Sequence, residues 1–576
     1  MSDPNLIEAR PPRFAAWLAE PMLRNRGMFM KVALAAVLLN IFGLVISLFT
    51  MTVYDRVVPN LAFDSLTALS IGVAIVLVFD FILRILRAYF VDIAGADIDR
   101  EIGGNVFDRM MRIRLDMKRG SVGQLSGLMR ELETLRDFFA SATLTAIVDV
   151  PFIILTLIFI GFIGGPIVFI PLILVPIVIG AGYLTHPALD RLSAKSMAGG
   201  LSKQSVLVES IGSLEMVKTS GAQKLLEKRW MKAIDDHADS SMRQRLISTI
   251  AVTIATSANS AAYMGVVVMG VFLIAERELT TGGLVACSIL AGRAVQPLAQ
   301  IAQLMSRISA TRTAYRQLNG LMSVPSEGPI GQPLYPGRFE GKIELKNISF
   351  KYPGASEKTL DNFTFTVEPG QRVALIGRVG SGKSTVARLM LGLYQPQEGL
   401  VLIDGTDIRQ FDTDGLRANI GTALQETVLL SGTVRENISL DRPHIDDGEM
   451  LRASQLSGAH SFMGQITNGY DLLLADRGEG LSGGQRQSIT LARALAGKPP
   501  ILIFDEPTSA MDSQTEAALI DRLSEEMKGR TLVMITHRSA LLKLADRIAI
   551  VEGGKVIADG PRDAILQQLN RPRAAA

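Results

Sequence analysis

Six apolar runs, each close to the length that crosses a bilayer, constrain this chain more than any other feature. They lie at Val32–Met51, Leu66–Leu86, Thr143–Ile163, Ile167–Leu184, Ile250–Ala275 and Leu284–Ala302, the last the least apolar. A hydrocarbon layer about 30 Å thick is crossed by about 20 residues of helix rising about 1.5 Å each, so each run reads as a membrane span. The first run starts too far from the N-terminus, is too long, and lacks the small-residue cleavage site of a signal peptide, which makes it a retained span. The stretch 140–184 is interrupted by "GFIGGP" at Gly161–Pro166, which reads as a tight turn between spans three and four.

The connections alternate in charge. Arg84–Arg136 and Arg191–Arg245 are rich in Lys and Arg, whereas the short connections around Arg56, Gly164 and Arg277 hold almost none. The positive-inside bias then places both termini and the two long connections in the cytoplasm. Those long connections have few glycines or prolines and recurrent apolar spacing, so the spans are expected to continue as helices well into the cytoplasm. A net charge of +3 gives no warrant for a nucleic-acid partner. The lone Cys287 excludes an internal disulfide and reads as a small core residue.

The polar, proline-bearing stretch Ser323–Gly341 marks the passage to a soluble domain. The expected organisation is a cytoplasmic segment at 1–27, a six-span domain at 28–318, a linker at 319–341 and a nucleotide-binding domain at 342–576. Past the linker, "KIELKNISFKY" alternates apolar and polar residues but shifts phase after Leu345, the pattern of a bulged edge strand. "RVALIG", "ILIFDE" and "TLVMITH" alternate with helical stretches and read as buried parallel strands of an α/β domain.

Two glycine-rich loops open helices in this domain. "GRVGSGKST" (Gly377–Thr385) follows a strand and matches the phosphate-loop pattern in full. Gly377, Gly380 and Gly382 let the backbone approach phosphate, Lys383 supplies charge to the β/γ-phosphates, and the Ser384 hydroxyl suits Mg²⁺. Ser381 and Thr385 complete the nucleotide-binding set. "ILIFDEP" ends a strand in two carboxylates, of which Asp505 suits the Mg²⁺ shell and Glu506 can polarise an attacking water. The second loop, "GEGLSGGQRQ", also begins a helix, where unpaired N–H groups and the helix dipole favour an anion.

With these motifs on the page, nearly the whole chain resembles the ATP-binding cassette (ABC) transporters, whose signature is matched by "LSGGQ" at Leu481–Gln485. The resemblance implies further roles, residue by residue. Tyr352 looks like the aromatic that stacks on adenine, and Gln425 like the glutamine that contacts Mg²⁺ and water. Asp512 in "TSAMD" resembles the acidic residue that communicates across a dimer, and His537 in "MITHR" the histidine that holds the γ-phosphate. In this family the cassettes pair head to tail, so Ser482, Gly483, Gly484 and Gln485 are expected to meet ATP held by a partner's phosphate loop. A symmetric homodimer follows, with short transverse helices near Leu115–Gly123 and Leu214–Gln223 carrying cassette motion to the membrane.

Several stretches are more similar to type I protein secretion ATPases than to drug or lipid exporters: "VYDRVVPN", "LRDFFASATLTAIVDVPF", "MVKTSGAQ", the form of the phosphate loop and "ADRGEGLSGGQRQ". The resemblance implies a bacterial inner-membrane motor, a polypeptide substrate, a periplasmic membrane-fusion adaptor and an outer-membrane channel. The first span begins at Val32, where many such ATPases carry a peptidase-like domain, so leader processing is not expected. A small-molecule, peptide or lipid exporter is the alternative, and an ATP-gated channel a lesser one. Charges inside spans mark a partner or a wet cavity. Asp80 and Arg84 are expected to neutralise each other four residues apart, whereas Asp149 and Arg293 have no such neighbour and are expected either to pair between helices or to line a hydrated path.

Overall fold

A computed structural model describes residues 15–117, 121–139, 150–329 and 331–570. The chain divides into two compact units. One runs through Val324 without 112–118; the other holds 112–118 together with the chain from Pro325 onward.

The first unit is helical: α1 (Ala16–Arg24), α2 (Arg26–Thr52), α3 (Phe63–Met111), α4 (Val122–Phe139), α5 (Pro151–Gly164), α6 (Phe169–Gly212), α7 (Leu214–Ser220), α8 (Gln223–Ala275) and α9 (Thr281–Met322). At about 1.5 Å per residue, α3, α6 and α8 reach well beyond the roughly 30 Å of hydrocarbon, so the long connections are helical extensions, as expected. Between α5 and α6, Gly165 at φ 51 ends one helix, and a 3-10 turn over Gly165–Val168 starts the next. Ile153 and Val178 share one buried cluster. Twenty-odd residues of straight helix would hold them some 35 Å apart, so the chain folds back at this turn.

Among the described residues, the helices at Arg26–Asn60, Phe63–Met111, Pro151–Gly212 and Gln223–Ala275 are long and apolar enough to cross a membrane, the third of them being the folded-back pair. Within the last span, α9, Ala286, Cys287, Leu290, Ala291, Ala294 and Val295 are buried within the unit, so these residues face other helices. Cys287 is the core residue expected, close enough that a Cβ on Gly164 would lie 2.7 Å from its sulfur. By contrast Ile71, Ile75, Val78, Phe79 and Phe81 of α3 are exposed, as lipid contact requires. Ahead of the first span, α1 is anchored rather than trailing. Trp17 stacks on Tyr315 at 5.9 Å and donates to Asn319 Oδ1 at 3.1 Å, while Leu18 is fully buried, a burial that contributes about 2 kcal/mol.

"VYDRVVPN" has a definite structural use. Val53–Val57 is a π-helical turn that follows α2. From it Asp55 accepts hydrogen bonds from Thr280 Oγ1 at 2.7 Å and Gly282 N at 2.8 Å, at the start of α9. A Cβ on Gly282 would lie 2.4 Å from Met51 O, so only glycine lets the two helices approach this closely. A carboxylate at a helix N-terminus is favoured by the unpaired N–H groups and the dipole. Asp55→Ala is expected to cost about 1–3 kcal/mol, read as a lower thermal-unfolding midpoint of the detergent-solubilised protein. An unchanged midpoint would show the contact to be neutral.

The charges within spans are placed as follows. Arg84 donates to both carboxylate oxygens of Asp80, from Nε at 2.6 Å and Nη2 at 3.2 Å, the neutralisation expected. Arg293 lays its guanidinium over Gly43 of α2, where a Cβ would fall 1.5 Å from Nη1. Asp149 lies outside the described residues, as do 118–120 of the first transverse segment. Of that segment, Leu115–Met117 forms a 3-10 turn; the second is α7, with Leu214 and Met216 exposed.

In the second unit, strands β3 (Arg372–Ile376), β6 (Ile420–Ala423), β9 (Ile501–Asp505), β10 (Thr531–Ile535) and β11 (Arg547–Glu552) run parallel in the order β11-β3-β10-β9-β6, with β12 (Lys555–Pro561) antiparallel at one edge. Side chains alternate between faces. Leu502, Phe504, Leu532 and Met534 enter one core and Ile501, Ile503, Val533 and Ile535 the other, which is why these runs are apolar at every position. The first core is covered by helices, the second by an antiparallel sheet of β2 (Leu360–Val367), β1 (Ile343–Phe350), β4 (Glu398–Ile403) and β5 (Thr406–Asp407), in that order.

One expectation is corrected here. β1 is not an edge strand, because it pairs with both β2 and β4. The phase shift is a bulge between Leu345 and Ile348, with Asn347 at φ 50, and the extra residue returns Ile348 and Phe350 to the buried face of Ile343 and Leu345. Residues 112–114 pair with the chain just past Val324. Arg114 N donates to Pro325 O, Glu327 N donates to Arg112 O at 2.6 Å, and Ile113 bridges Ser326, so backbone pairing holds this tip in the second unit.

Candidate nucleotide site

Parallel strands bring their C-terminal ends to one edge of the sheet, and the sequence places a chemical group just past four of them. Across neighbouring strands β3, β10, β9 and β6, these are the loop Gly377–Lys383, then His537, then Asp505 and Glu506, then Gln425. At about 4.8 Å between strands, residues far apart in sequence become neighbours at the position where open α/β sheets bind ligands.

The loop after β3 needs its glycines. Gly377 has φ 152, and a Cβ there would sit 2.0 Å from Val551 O; Gly382 has φ 100, and its Cβ would press on Leu360 at 2.7 Å. Gly380, at φ 82, adopts the same left-handed region. Lys383 begins helix α10 (Lys383–Met390) and folds back over the loop, where Nζ donates to Gly377 O and Arg378 O, both at 2.8 Å, and to Ser381 Oγ at 3.3 Å. Burial pushes its ammonium below the ordinary lysine value, against the pull of Asp505 and Glu506. The charge is therefore held in place by a cradle of oxygens.

Asp505 is 4% exposed, and its Oδ1 has no hydrogen-bond partner; the Ser384 hydroxyl bonds the carboxylate. Burial raises its pKa, opposed by Ser384 and then by Arg388 and Lys383. A buried carboxylate oxygen without a partner, beside a hydroxyl, fits a hard divalent cation. Glu506 Oε1 is likewise buried without a hydrogen-bond partner, and His537 Nε2 lies 3.8 Å from it. Burial raises the Glu506 pKa, opposed chiefly by His537 and reinforced by Asp505. Its backbone is left-handed at φ 51, a conformation that costs a non-glycine residue on the order of 1 kcal/mol and persists only when neighbours impose it.

Tyr352 lies beside this loop. Its hydroxyl is 3.0 Å from Thr385 Oγ1 and accepts from Arg388 at 3.0 Å, and its ring packs edge-on to Phe350 and Tyr394. Gln425 is exposed, two residues beyond β6. The signature loop is built separately. Ser482 caps helix α12 (Gly483–Leu495) through a reciprocal pair of bonds: its Oγ accepts from Gln485 N at 3.2 Å, and its N donates to Gln485 Oε1 at 2.8 Å. Ser482 is exposed, its hydroxyl hydrogen is left to donate, and the first-turn N–H groups of Gly483 and Gly484 have no intrahelical acceptor. Asp512 caps helix α13 (Ser513–Glu526), accepting from Thr515 N and Oγ1 at 2.8 Å, bonds that lower its pKa. Its carboxylate thus has a structural task within its own chain.

Two residues to which the motifs assign no role tie these parts together. Gln487 of α12 donates to Glu506 O at 3.0 Å and Ser509 Oγ at 3.2 Å, and accepts from Ala510 N at 2.9 Å. Arg538 donates to Met511 O at 3.1 Å and Ser509 O at 3.0 Å, and pairs with buried Glu516 at 3.3 Å. A glutamine two residues beyond Gln485, the signature serine's capping partner, or an arginine after His537, carries no role that the motifs assign.

Fold and site together define a membrane-spanning, phosphate-loop ATPase of the exporter architecture. Residues 360–509 match the ABC transporter model, and residues 29–298 the ABC transporter transmembrane region. The leukotoxin translocation ATP-binding proteins LktB of Pasteurella haemolytica-like sp. (strain 5943B) and of Mannheimia haemolytica are 31% identical over 555 residues, 96% of this chain and 78% of theirs. The solved structure of a bacterial Atm1-family ABC exporter with ATP bound superposes with a TM-score of 0.84 at 23% identity, over 97% of this chain and 99% of that one, which shows the shared fold. The chain belongs to the ABC transporter family. It is a multi-pass membrane protein that binds nucleotide and couples ATP hydrolysis to export.

Proposed function

We propose that this chain is the inner-membrane ATPase of a type I protein secretion system, acting as a head-to-tail homodimer with both termini in the cytoplasm. The observation that carries this reading is the similarity to leukotoxin translocation proteins along 96% of the chain.

At each composite site, Lys383 and the backbone of Gly377–Gly382 hold the phosphates of ATP, with Tyr352 against the adenine. Mg²⁺, held by Ser384, Asp505 and Gln425, would neutralise phosphate charge. Glu506 takes the proton of the attacking water, its raised pKa bringing it towards the range of an effective base, and His537 holds the γ-phosphate. The signature loop of a second copy closes the site with the Ser482 hydroxyl and the N–H groups of Gly483 and Gly484. Hydrolysis removes the shared γ-phosphate and so weakens the closed state. Asp512 reports across that interface.

A deletion strain tests the substrate class. Loss of a secreted polypeptide, restored by the gene in trans, together with cross-linking of a periplasmic adaptor to the outward loops around Arg56, is the expected result. Normal protein secretion with lipid- or drug-stimulated ATPase activity and no adaptor would turn the reading to a lipid or small-molecule exporter. Within the same strain, Arg293→Gln is expected to lower export about fivefold or more while leaving ATP hydrolysis within about twofold, since a charge inside a span acts on the path rather than the cassette. Equal losses would place Arg293 in the fold instead.

A further inference from the structure

The signature helix and the segment that follows β9 in the same chain are joined by a side chain to which no motif assigns a role. Gln487 is 2% exposed and one turn into α12, whose first residues form the signature loop. Its amide reaches across to the residues that follow β9, bonding Glu506 O, Ser509 Oγ and Ala510 N. On the far side Arg538, next to His537, holds the carbonyls of Ser509 and Met511. Glu506 N also donates to Ile535 O at 2.9 Å. The left-handed backbone of Glu506 is therefore imposed from both flanks, and of these contacts only Gln487 comes from the signature helix.

We infer that Gln487 is a positioning residue that makes the setting of Glu506 depend on the placement of the signature helix. The inference rests on the head-to-tail reading and on the base assigned to Glu506. In that arrangement, Ser482 and its neighbours in one chain meet ATP at one composite site while Glu506 of the same chain serves the other. Gln487 lies between them, five residues beyond Ser482 on a helix whose Ile489, Leu491, Ala492 and Leu495 are fully buried. A shift of the helix start on meeting phosphate is carried rigidly to the Glu506 carbonyl, so occupation of one site sets the base of the other.

The test uses the full-length homodimer in lipid nanodiscs, with ATPase kinetics and binding of a fluorescent ATP analogue. Gln487→Leu keeps the volume but removes all three bonds; kcat is expected to fall about tenfold or more with KM for ATP within about threefold. Gln487→Glu keeps the acceptor for Ala510 N and loses the donor to Glu506 O, and should be impaired in the same sense. If Gln487→Leu fails to bind nucleotide, this second variant decides. Ser482→Ala combined with the Gln487 change should lose less than the product of the single losses, because the two act along one line. Turnover within about twofold of the unsubstituted protein, a loss confined to KM, or a fully multiplicative double variant overturns the inference. Glu506→Gln is measured alongside: if it too turns over normally, the base assignment fails; if it is inactive while the Gln487 variants are not, only the positioning role fails.

Discussion

Glu506→Gln is expected to bind ATP as the unsubstituted protein does and to lose about 10²-fold or more of its turnover. The substitution changes neither the volume nor the reach of the side chain. What it removes is a proton acceptor with a buried Oε1 that no hydrogen bond occupies, 3.8 Å from His537 and adjacent to Asp505. Burial is the main cause of its raised pKa, and burial also excludes the bulk water that could stand in as a base. Nucleotide should then accumulate unhydrolysed, with the cassettes held together. Steady-state phosphate release together with nucleotide retention on rapid desalting measures both parts, and near-normal release would remove Glu506 from the chemistry.

The second large effect concerns the signature loop. Ser482→Arg removes a helix cap, at a cost of about 1 kcal/mol, and places a bulky cation where a second copy's ATP is proposed to lie. The cost is tolerable because α12 is anchored by its buried residues and not by its first turn. Nucleotide binding by the chain should therefore survive while ATP-driven closure of the cassettes, followed by spin-label distances, is lost. Mixed dimers give the sharper result. One Lys383→Ala chain paired with one Ser482→Arg chain keeps one complete site and should retain a substantial part of the turnover. Both substitutions in a single chain, paired with an unsubstituted one, damage each site once and should retain little. Equal activity of the two pairings would show that the loops do not meet across copies.

Features that depend on a few consecutive residues were legible from the chain alone. Hydropathy sustained over a bilayer's thickness marks the spans, and "GFIGGP" marks the reversal at Gly165, because each depends only on local length and backbone freedom. The glycines at 377, 380 and 382 announce a loop whose backbone takes positive φ, and the apolar runs Ile501–Phe504 and Leu532–Ile535 announce strands covered on both faces. Position in the sheet was not legible. A phase shift in β1 states that a bulge exists, but whether a strand lies at an edge is decided by which partners arrive on each side, and here both do. Nor could residue order reveal that 112–114 pairs with the backbone after Val324, that Asp55 caps a helix more than two hundred residues away, or that Gln487 holds the carbonyl of Glu506. Such bonds need a donor and an acceptor brought within about 3 Å, and only the packing of whole helices and sheets brings residues so distant in the chain that close.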